Sequence, residues 1–297
     1  MQISNHIHAV KIPFTVPAPA GTIKRFVYVY LICGEQVTLI DSGVAGSEEQ
    51  IFSYLDSIGR KKEINRLLLT HSHPDHIGAA RAIHADTGCA VLAGDVEQSW
   101  IEDTDKQVRE RPVPGFNTLV GGPVTVSRII AAGDRLDLGK GLTLEVIATP
   151  GHSAGSLSFF LGKDGALFSG DAVPVPGDLP IYDDYCTSMS TLERLQRLDG
   201  VRLLLEAWQA PLSEDIAGRL AAGISWLNKI DGAVQQELTR KLKLDAMDLC
   251  RSVVNTLGLS PLAVNPLVAR SLSSHGKFGS TVHNQKEPAA TEPVFSP

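Results

Sequence analysis

Apolar and polar residues alternate through the first two thirds of the chain, and the period lengthens to three and four in the last third. Residues 7–13 and 26–33 read as strands, the second alternating around Val27, Val29 and Leu31. Residues 36–40 form a third short strand that runs into Asp41-Ser42-Gly43, a turn signal carrying a carboxylate. Ile51, Leu55 and Ile58 recur at helical spacing over residues 47–58, with Glu48 and Glu49 where carboxylates complement a helix dipole. Residues 64–70 are a buried strand, and Ile77, Ala80 and Ile83 mark a helix over 75–86, with His84 one place off its apolar stripe and read as half-buried and structural. Residues 98–123 are charged and then Pro/Gly-rich, and predict a helix and loop insertion. Strands resume at 142–148, 156–161, 166–169 and 201–205. After Pro211 the pattern predicts a long helix over 214–238 capped by Ser213, then helices over 244–257 and 265–272. The Pro-, Thr-, Ala- and Glu-rich stretch 277–297 is too poor in apolar residues to fold alone and is expected to be a flexible tail.

Composition narrows what such a chain can do. A length of 297 residues holds one large core, or one core with a subdomain. Hydrophobic content of 43%, charged content of 20% and a net charge of −6 spread along the chain are those of a globular protein without a basic stripe, so no nucleic-acid partner is expected. No apolar run reaches bilayer-spanning length, and residues 1–15 lack the pattern of a secretory leader. Cys33, Cys89, Cys186 and Cys250 form no CxxC and read as reduced thiols, consistent with a cytoplasmic protein; Cys186, in a polar stretch, reads as inert.

The chemistry concentrates at strand ends. His71-Ser72-His73-Pro74-Asp75-His76 places three of the chain's nine imidazoles and one carboxylate in six positions directly after an apolar run. His71 and His73 are two apart on extended chain, so both rings leave one face, and Pro74 turns the chain so that Asp75 and His76 approach from another direction. Nitrogen and carboxylate oxygen together suit zinc first, with iron or manganese as alternatives. Two further strand ends carry the same residue types: Thr149-Pro150-Gly151-His152 supplies an imidazole and Ser169-Gly170-Asp171 a carboxylate. Ligands gather where strand ends open into loops in sheets flanked by helices.

In combination, LIDSG at 39–43, HxHxDH at 71–76, TPGHS around His152, and SGD ending in Asp171 resemble the metallo-β-lactamase superfamily over roughly residues 5–210. The resemblance implies an α/β fold, an αββα sandwich of residues 1–210, followed here by a helical cap over 211–276. It implies that His71, His73 and His152 hold a first metal, Asp75 and His76 a second, and that Asp171 bridges them, with zinc as one or two ions. Asp75 is then placed to orient a metal-activated hydroxide and pass its proton on. Asp41 either fixes the tautomer of a ligand imidazole or only caps a turn. The similarity to lactonase-type relatives also suggests that Tyr182 or Tyr185, on the loop leaving Asp171, donates a hydrogen bond to an oxyanion.

The chain departs from that family at the last ligand. Where most members carry a final His in a Gly-His-Gly turn, the sequence reads Glu206-Ala207-Trp208-Gln209, and an indole nitrogen cannot ligate a metal. Trp208 is expected to line the pocket, with Glu206, Gln209 or solvent completing the second site, or His275 or His283 supplying the missing nitrogen. The leading expectation is a metal-dependent hydrolase of a small ester, thioester, lactone or related carbonyl substrate. A mononuclear iron oxidoreductase of persulfide dioxygenase type, using His71, His152 and Asp171, and a non-catalytic ligand-binding member are the alternatives. The C-terminal helices either cover the cleft or support a homodimer.

Overall fold

The computed structural model describes residues 1–18, 21–240 and 244–276, so His283 and the expected tail over 277–297 lie outside the described residues. Among the described residues the strands form two sheets. One runs in the order β1 (Ile7–Ala18), β2 (Gly21–Cys33), β3 (Val37–Ile40), β4 (Arg66–Leu68), β5 (Ala90–Ala93) and β6 (Arg128–Ile129). The other runs β11 (Leu203–Glu206), β10 (Ala166–Gly170), β9 (Leu157–Leu161), β8 (Thr143–Ala148) and β7 (Arg135–Asp137).

The alternation along β2 shows why two sheets stack with helices outside. Tyr28, Tyr30 and Ile32 point between the sheets and pack in one cluster with Leu144, Phe159 and Phe168. Val27, Val29 and Leu31 point the other way, into a cluster with Ile51 and Leu55 of α1 (Ser47–Ser57) and Ile83 of α3 (Ala80–Thr87). A strand buried on both faces is apolar at successive positions, and each such side chain contributes about 1.5–3 kcal/mol by burial. The layers are therefore helix, sheet, sheet, helix, as the motif resemblance implies.

Several boundaries differ from the sequence pattern for local reasons. The first hairpin is longer than expected, pairing Ile7 with Ile32 through to Ala18 with Gly21, and Pro13 and Pro17 are tolerated because β1 is an edge strand. The helix expected over 75–86 is broken into α2 (Pro74–Ile77) and α3 at Gly78, where an added Cβ would run into the Leu119 carbonyl oxygen. The insertion after residue 94 is more helical than expected, with α4 (Asp95–Glu102), α5 (Thr104–Glu110) and α6 (Phe116–Leu119). Strands β5, β6 and β7 are two to four residues long, too short for a periodicity to announce them.

Helices α7 (Tyr185–Gln196), α8 (Ile216–Arg240), α9 (Ala246–Thr256) and α10 (Pro266–Ser273) cover the outer face of the second sheet, where Leu167 and Leu204 share one cluster with Leu192, Leu227, Val253 and Leu272. The start of α8 is held by Asp215, whose Oδ1 accepts from the Gly218 N–H at 3.1 Å, rather than by Ser213. Cys186 lies in the first turn of α7, not in a loop, and burial pushes its thiol up. Among the described residues no helix is long and apolar enough to cross a membrane.

Candidate metal centre

β4 ends at Leu68, and the next residues turn off the sheet to place His71 and His73 with their rings 4.4 Å apart. The His152 turn requires glycine before it: Gly151 has φ 132°, and a Cβ there would meet Ser188 at 2.5 Å. Asp171 follows β10 directly. His71, His73, His152 and Asp171 each offer a donor atom within 4.8 Å of the others, and Asp75, His76 and Asp171 form a second such group. All six residues singled out by the sequence as metal ligands thus meet at one end of the sandwich.

Hydrogen bonds on the outer side of the rings decide which nitrogens face inward. Asp41, buried and at φ 57°, accepts from the Thr70 N–H, from the Thr70 hydroxyl at 2.8 Å, and from His76 Nδ1 at 2.8 Å. The Thr70 hydroxyl, already donating to Asp41, accepts from His71 Nδ1 at 3.0 Å. His152 Nδ1 donates to the Ile181 carbonyl at 2.6 Å. With Nδ1–H committed outward in His71 and His152, the Nε2 of each turns a lone pair toward the centre, and His76 Nε2 faces the same way. Asp41 therefore fixes a ring rather than only capping a turn.

The inward atoms lack partners that a protein alone can provide. His152 Nε2 lies 3.1 Å from His71 Nε2 and 2.7 Å from His73 Nδ1, so the three rings aim at one point. His76 Nε2, Asp75 Oδ2 and Asp171 Oδ1 are buried without a hydrogen-bond partner, and His76 Nε2 is 3.5 Å from the first carboxylate oxygen and 3.3 Å from the second. Burial pulls the imidazoles of His71, His73 and His152 below the ordinary histidine range, so they are neutral donors at neutral pH. Burial opposes charge on Asp171 as well, yet His76 and His152 beside it hold its carboxyl far below the usual range. His76 goes the other way: against desolvation, the carboxylates of Asp171, Asp41 and Asp75 push it up. Neutral imidazoles, ionised carboxylates and orphaned buried acceptors are the donor set of a divalent cation, which the residues present therefore fit.

Trp208 does more than line the wall. Its Nε1–H donates to Asp171 Oδ2 at 3.0 Å, while its ring packs edge-on against Phe14 at 6.2 Å. An indole in this position orients the carboxylate shared by both groups. Glu206 is excluded as a ligand, since Arg219 grips its carboxylate at 2.7 and 3.1 Å. His275 is excluded for the same kind of reason: it is buried with Nδ1 on Asp231 Oδ1 at 2.8 Å and Nε2 on the Tyr182 hydroxyl at 2.6 Å. His84 is structural as expected, donating to the Cys89 carbonyl at 2.8 Å.

The two tyrosines do not take the place expected of them. The Tyr182 hydroxyl is buried against His275, and that of Tyr185 donates to Asn228 Oδ1 at 3.2 Å, while the Tyr185 ring stacks on His275 at 4.2 Å. The loop carrying them is drawn toward the C-terminal helices, with Ser271 Oγ accepting from the Tyr182 N–H and the Asp178 carbonyl accepting from Trp226 Nε1. What the loop gives the centre is a backbone group, the Ile181 carbonyl on His152. Tyr182→Phe is accordingly expected to lower stability by about 1–3 kcal/mol through a lost buried hydrogen bond. It should leave hydrolysis well short of the roughly 10²–10³-fold loss of an oxyanion donor. Parallel thermal melts and initial rates check this.

Three supporting residues had no signal in the sequence. Glu97 of α4 is buried and accepts from the Ser72 N–H and hydroxyl, from the Ser153 hydroxyl at 2.7 Å and from the Gly155 N–H at 2.8 Å, which ties the His71–His73 turn to the His152 turn. Gln107 of α5 donates to the Ser72 carbonyl at 2.6 Å. Arg111, at the end of α5, is buried beside them. Each sits on a helix whose other charged residues are solvated, and nothing in its spacing marks it out.

Comparison with known proteins places this geometry. Residues 22–208 match the family model described as the metallo-beta-lactamase superfamily. The chain is 30% identical over 158 residues to the probable metallo-hydrolase YqgX of Bacillus subtilis (strain 168), covering 52% of this chain and 69% of that protein. It is 27% identical over 183 residues to a hydroxyacylglutathione hydrolase of Rhodospirillum rubrum, with 60% of each covered. A metallo-beta-lactamase family protein from Thermus thermophilus shares the fold, with a TM-score of 0.68 at 19% identity over 91% of this chain and 92% of that one.

Proposed function

The chain belongs to the metallo-β-lactamase superfamily, and from that premise we propose that it is a metal-dependent hydrolase of a small acyl substrate, a thioester or ester foremost. The observation that carries this reading is the convergence of three neutral imidazoles and a shared carboxylate on one point, beside a second group of Asp75, His76 and Asp171. His71, His73, His152 and Asp171 would hold one cation, and Asp75, His76 and Asp171 a second, with zinc the best match to nitrogen and carboxylate oxygen. Bound there, a divalent cation lowers the pKa of water toward about 7 and polarises a carbonyl.

The chain's own residues supply the rest. Asp75 Oδ2, buried and unpartnered, is the group available to take a proton at the site. Asp171 is kept in one orientation by Trp208, and Phe14 packed on Trp208 gives the site an apolar wall. In the reaction the oxygen of water bonds to the acyl carbon, the bond from that carbon to sulfur or oxygen breaks, and the leaving group ends protonated while the acid ionises. A relative named for hydroxyacylglutathione is a hydrolase of an S-acyl thiol, which favours thioesters. The test is metal analysis of protein purified without added metal, together with assay against small thioesters and esters. Zinc with thioester hydrolysis supports the reading. Stoichiometric iron with oxygen uptake would replace it with the iron oxidoreductase, and a metal-loaded protein inert to every acyl substrate would favour a ligand-binding role.

Trp208 sets a difference between the two groups. The first has three imidazoles and a carboxylate, the second two carboxylates and one imidazole, with Glu206 held elsewhere by Arg219. Titration of the apoprotein is expected to show one tight and one weak site, and Trp208→His to strengthen the weak one. Trp208→Phe, which removes the hydrogen bond to Asp171, should weaken binding about 10–100-fold. Two equally tight sites in the unmodified protein would refute the assignment.

A further inference from the structure

Arg111 is 4% exposed, and among the described residues no carboxylate oxygen lies within 4.0 Å of its guanidinium. Arg219, half-buried near the other side of the site, is by contrast clasped by Glu206 at 2.7 Å. A guanidinium stays charged at every working pH, so one with no carboxylate beside it is open to an anionic ligand. Its placement is fixed by backbone: the Arg111 N–H donates to the Gln107 carbonyl at 2.7 Å, one turn after the residue whose side chain binds the Ser72 carbonyl. Arg111 closes α5 one turn after Gln107, so its backbone stands beside the residue that is tied to the His71–His73 turn.

The surroundings agree with that placement. The charge of Arg111 depresses proton binding at His73, His71 and His152, while Asp183, Asp75 and Glu97 act on Arg111 from beyond ion-pair distance and Arg270 opposes them. Asp183 is itself engaged by Arg270 at 3.5 Å. The loop after Arg111 is packed beneath the first hairpin, where a Cβ on Gly115 would lie 2.6 Å from Pro17. Arg111 is thus a cation beside the His71–His73 turn whose guanidinium has no carboxylate within 4.0 Å among the described residues.

We infer that Arg111 binds a carboxylate on the acyl portion of the substrate, so that this site selects half-thioesters or half-esters of dicarboxylic acids over uncharged acyl groups. The inference rests on the hydrolase reading for its substrate class, but the anion anchor can be tested apart from it. A guanidinium takes a carboxylate through two parallel N–H···O bonds, and in a desolvated place such a contact discriminates strongly against a substrate that leaves the cation unpaired. A monoanion also suits a centre already holding Asp75 and Asp171 better than a phosphate dianion does.

The experiment compares the glutaryl and pentanoyl thioesters of N-acetylcysteamine, which differ in the terminal carboxylate, on metal-loaded protein and on Arg111→Gln and Arg111→Lys. The glutaryl thioester is expected to be preferred in kcat/KM by the unmodified protein. Arg111→Gln should lower that preference roughly 30-fold or more, mainly through KM, and Arg111→Lys should keep part of it. In parallel, calorimetric titration with glutarate should show binding that Arg111→Gln weakens by a similar factor. Melting temperature separates a site residue from a structural one: Arg111→Met should melt no lower than the unmodified protein. The inference is overturned if Arg111→Gln lowers both thioesters equally, if glutarate binding is indifferent to it, or if Arg111→Met melts lower with a matching loss on both substrates. Should neither thioester turn over, the hydrolase reading fails, while the glutarate titration still decides the anchor.

Discussion

His71→Ala or His152→Ala is expected to remove the metal and the hydrolysis together, the rate falling on the order of a thousandfold or more, since metal activation of water and carbonyl contributes several kcal/mol. Each ring is one of three whose inward nitrogens lie within 3.1 Å of His152 Nε2 or belong to it, and no other described imidazole is free to replace it, because His275 is held by Asp231 and Tyr182. Metal content and initial rate measured on the same preparations check the pairing. Hydrolysis retained by demonstrably metal-free protein would end the catalytic assignment. Acid should release the metal only at a pH well below the ordinary histidine range, because burial holds the imidazoles of His71 and His73 well below it and protons compete for them late.

Arg219→Ala is expected to destabilise the fold by about 3–5 kcal/mol, the effect of stranding the buried Glu206 carboxylate, while replacing both residues by Met should recover most of the loss. Burial pushes Glu206 from 4.5 up to about 7 even with Arg219 beside it. In the window between those values the folded state holds the proton more tightly than the unfolded chain, so this group's contribution to stability is present below 4.5 and is lost as pH rises toward 7. The defect in Arg219→Ala should therefore be deeper at about pH 8 than at about pH 5. Denaturant unfolding at both values decides it, and a variant equally stable at each would show that Glu206 finds another partner. Because Arg219 also donates to the Pro174 carbonyl at 3.0 Å, and Glu206 ends the strand that leads to Trp208, the metal centre should loosen with the fold.

What can be read from the chain divides by range of interaction. His71, His73, Asp75, His76, His152 and Asp171 are legible because each lies in a few residues of chain that end a strand, where spacing alone fixes a direction. Strand β2 is legible because its alternation matches the two faces it buries. Tyr182 and Tyr185 mislead because nearness to Asp171 along the chain says nothing about Ser271, Asn228 and His275, which decide where the phenols point. That Trp208 cannot ligate follows from its indole alone, but its hydrogen bond to Asp171 depends on the crossing of two strand ends. The cap of α8 moves from Ser213 to Asp215 because the chain adopts φ 48° at Asp215, a backbone state that composition does not disclose. Glu97, Gln107 and Arg111 belong to the inserted helices, where a buried charge and a solvated one look alike until the helices are docked.

The proline-bearing edge of the first hairpin has a bearing on self-association. An edge strand offers a row of amide donors and carbonyl acceptors to any other strand, and a second copy of the chain is the one present at highest local concentration. Pro13 and Pro17 remove two donors from β1, and the exposed Lys11 places charge on the same strand. A ladder continued across that edge from one molecule to the next would be interrupted by these prolines and would bring like charges together. This long border strand of the sandwich is thereby a poor template for a ladder continued into a second copy.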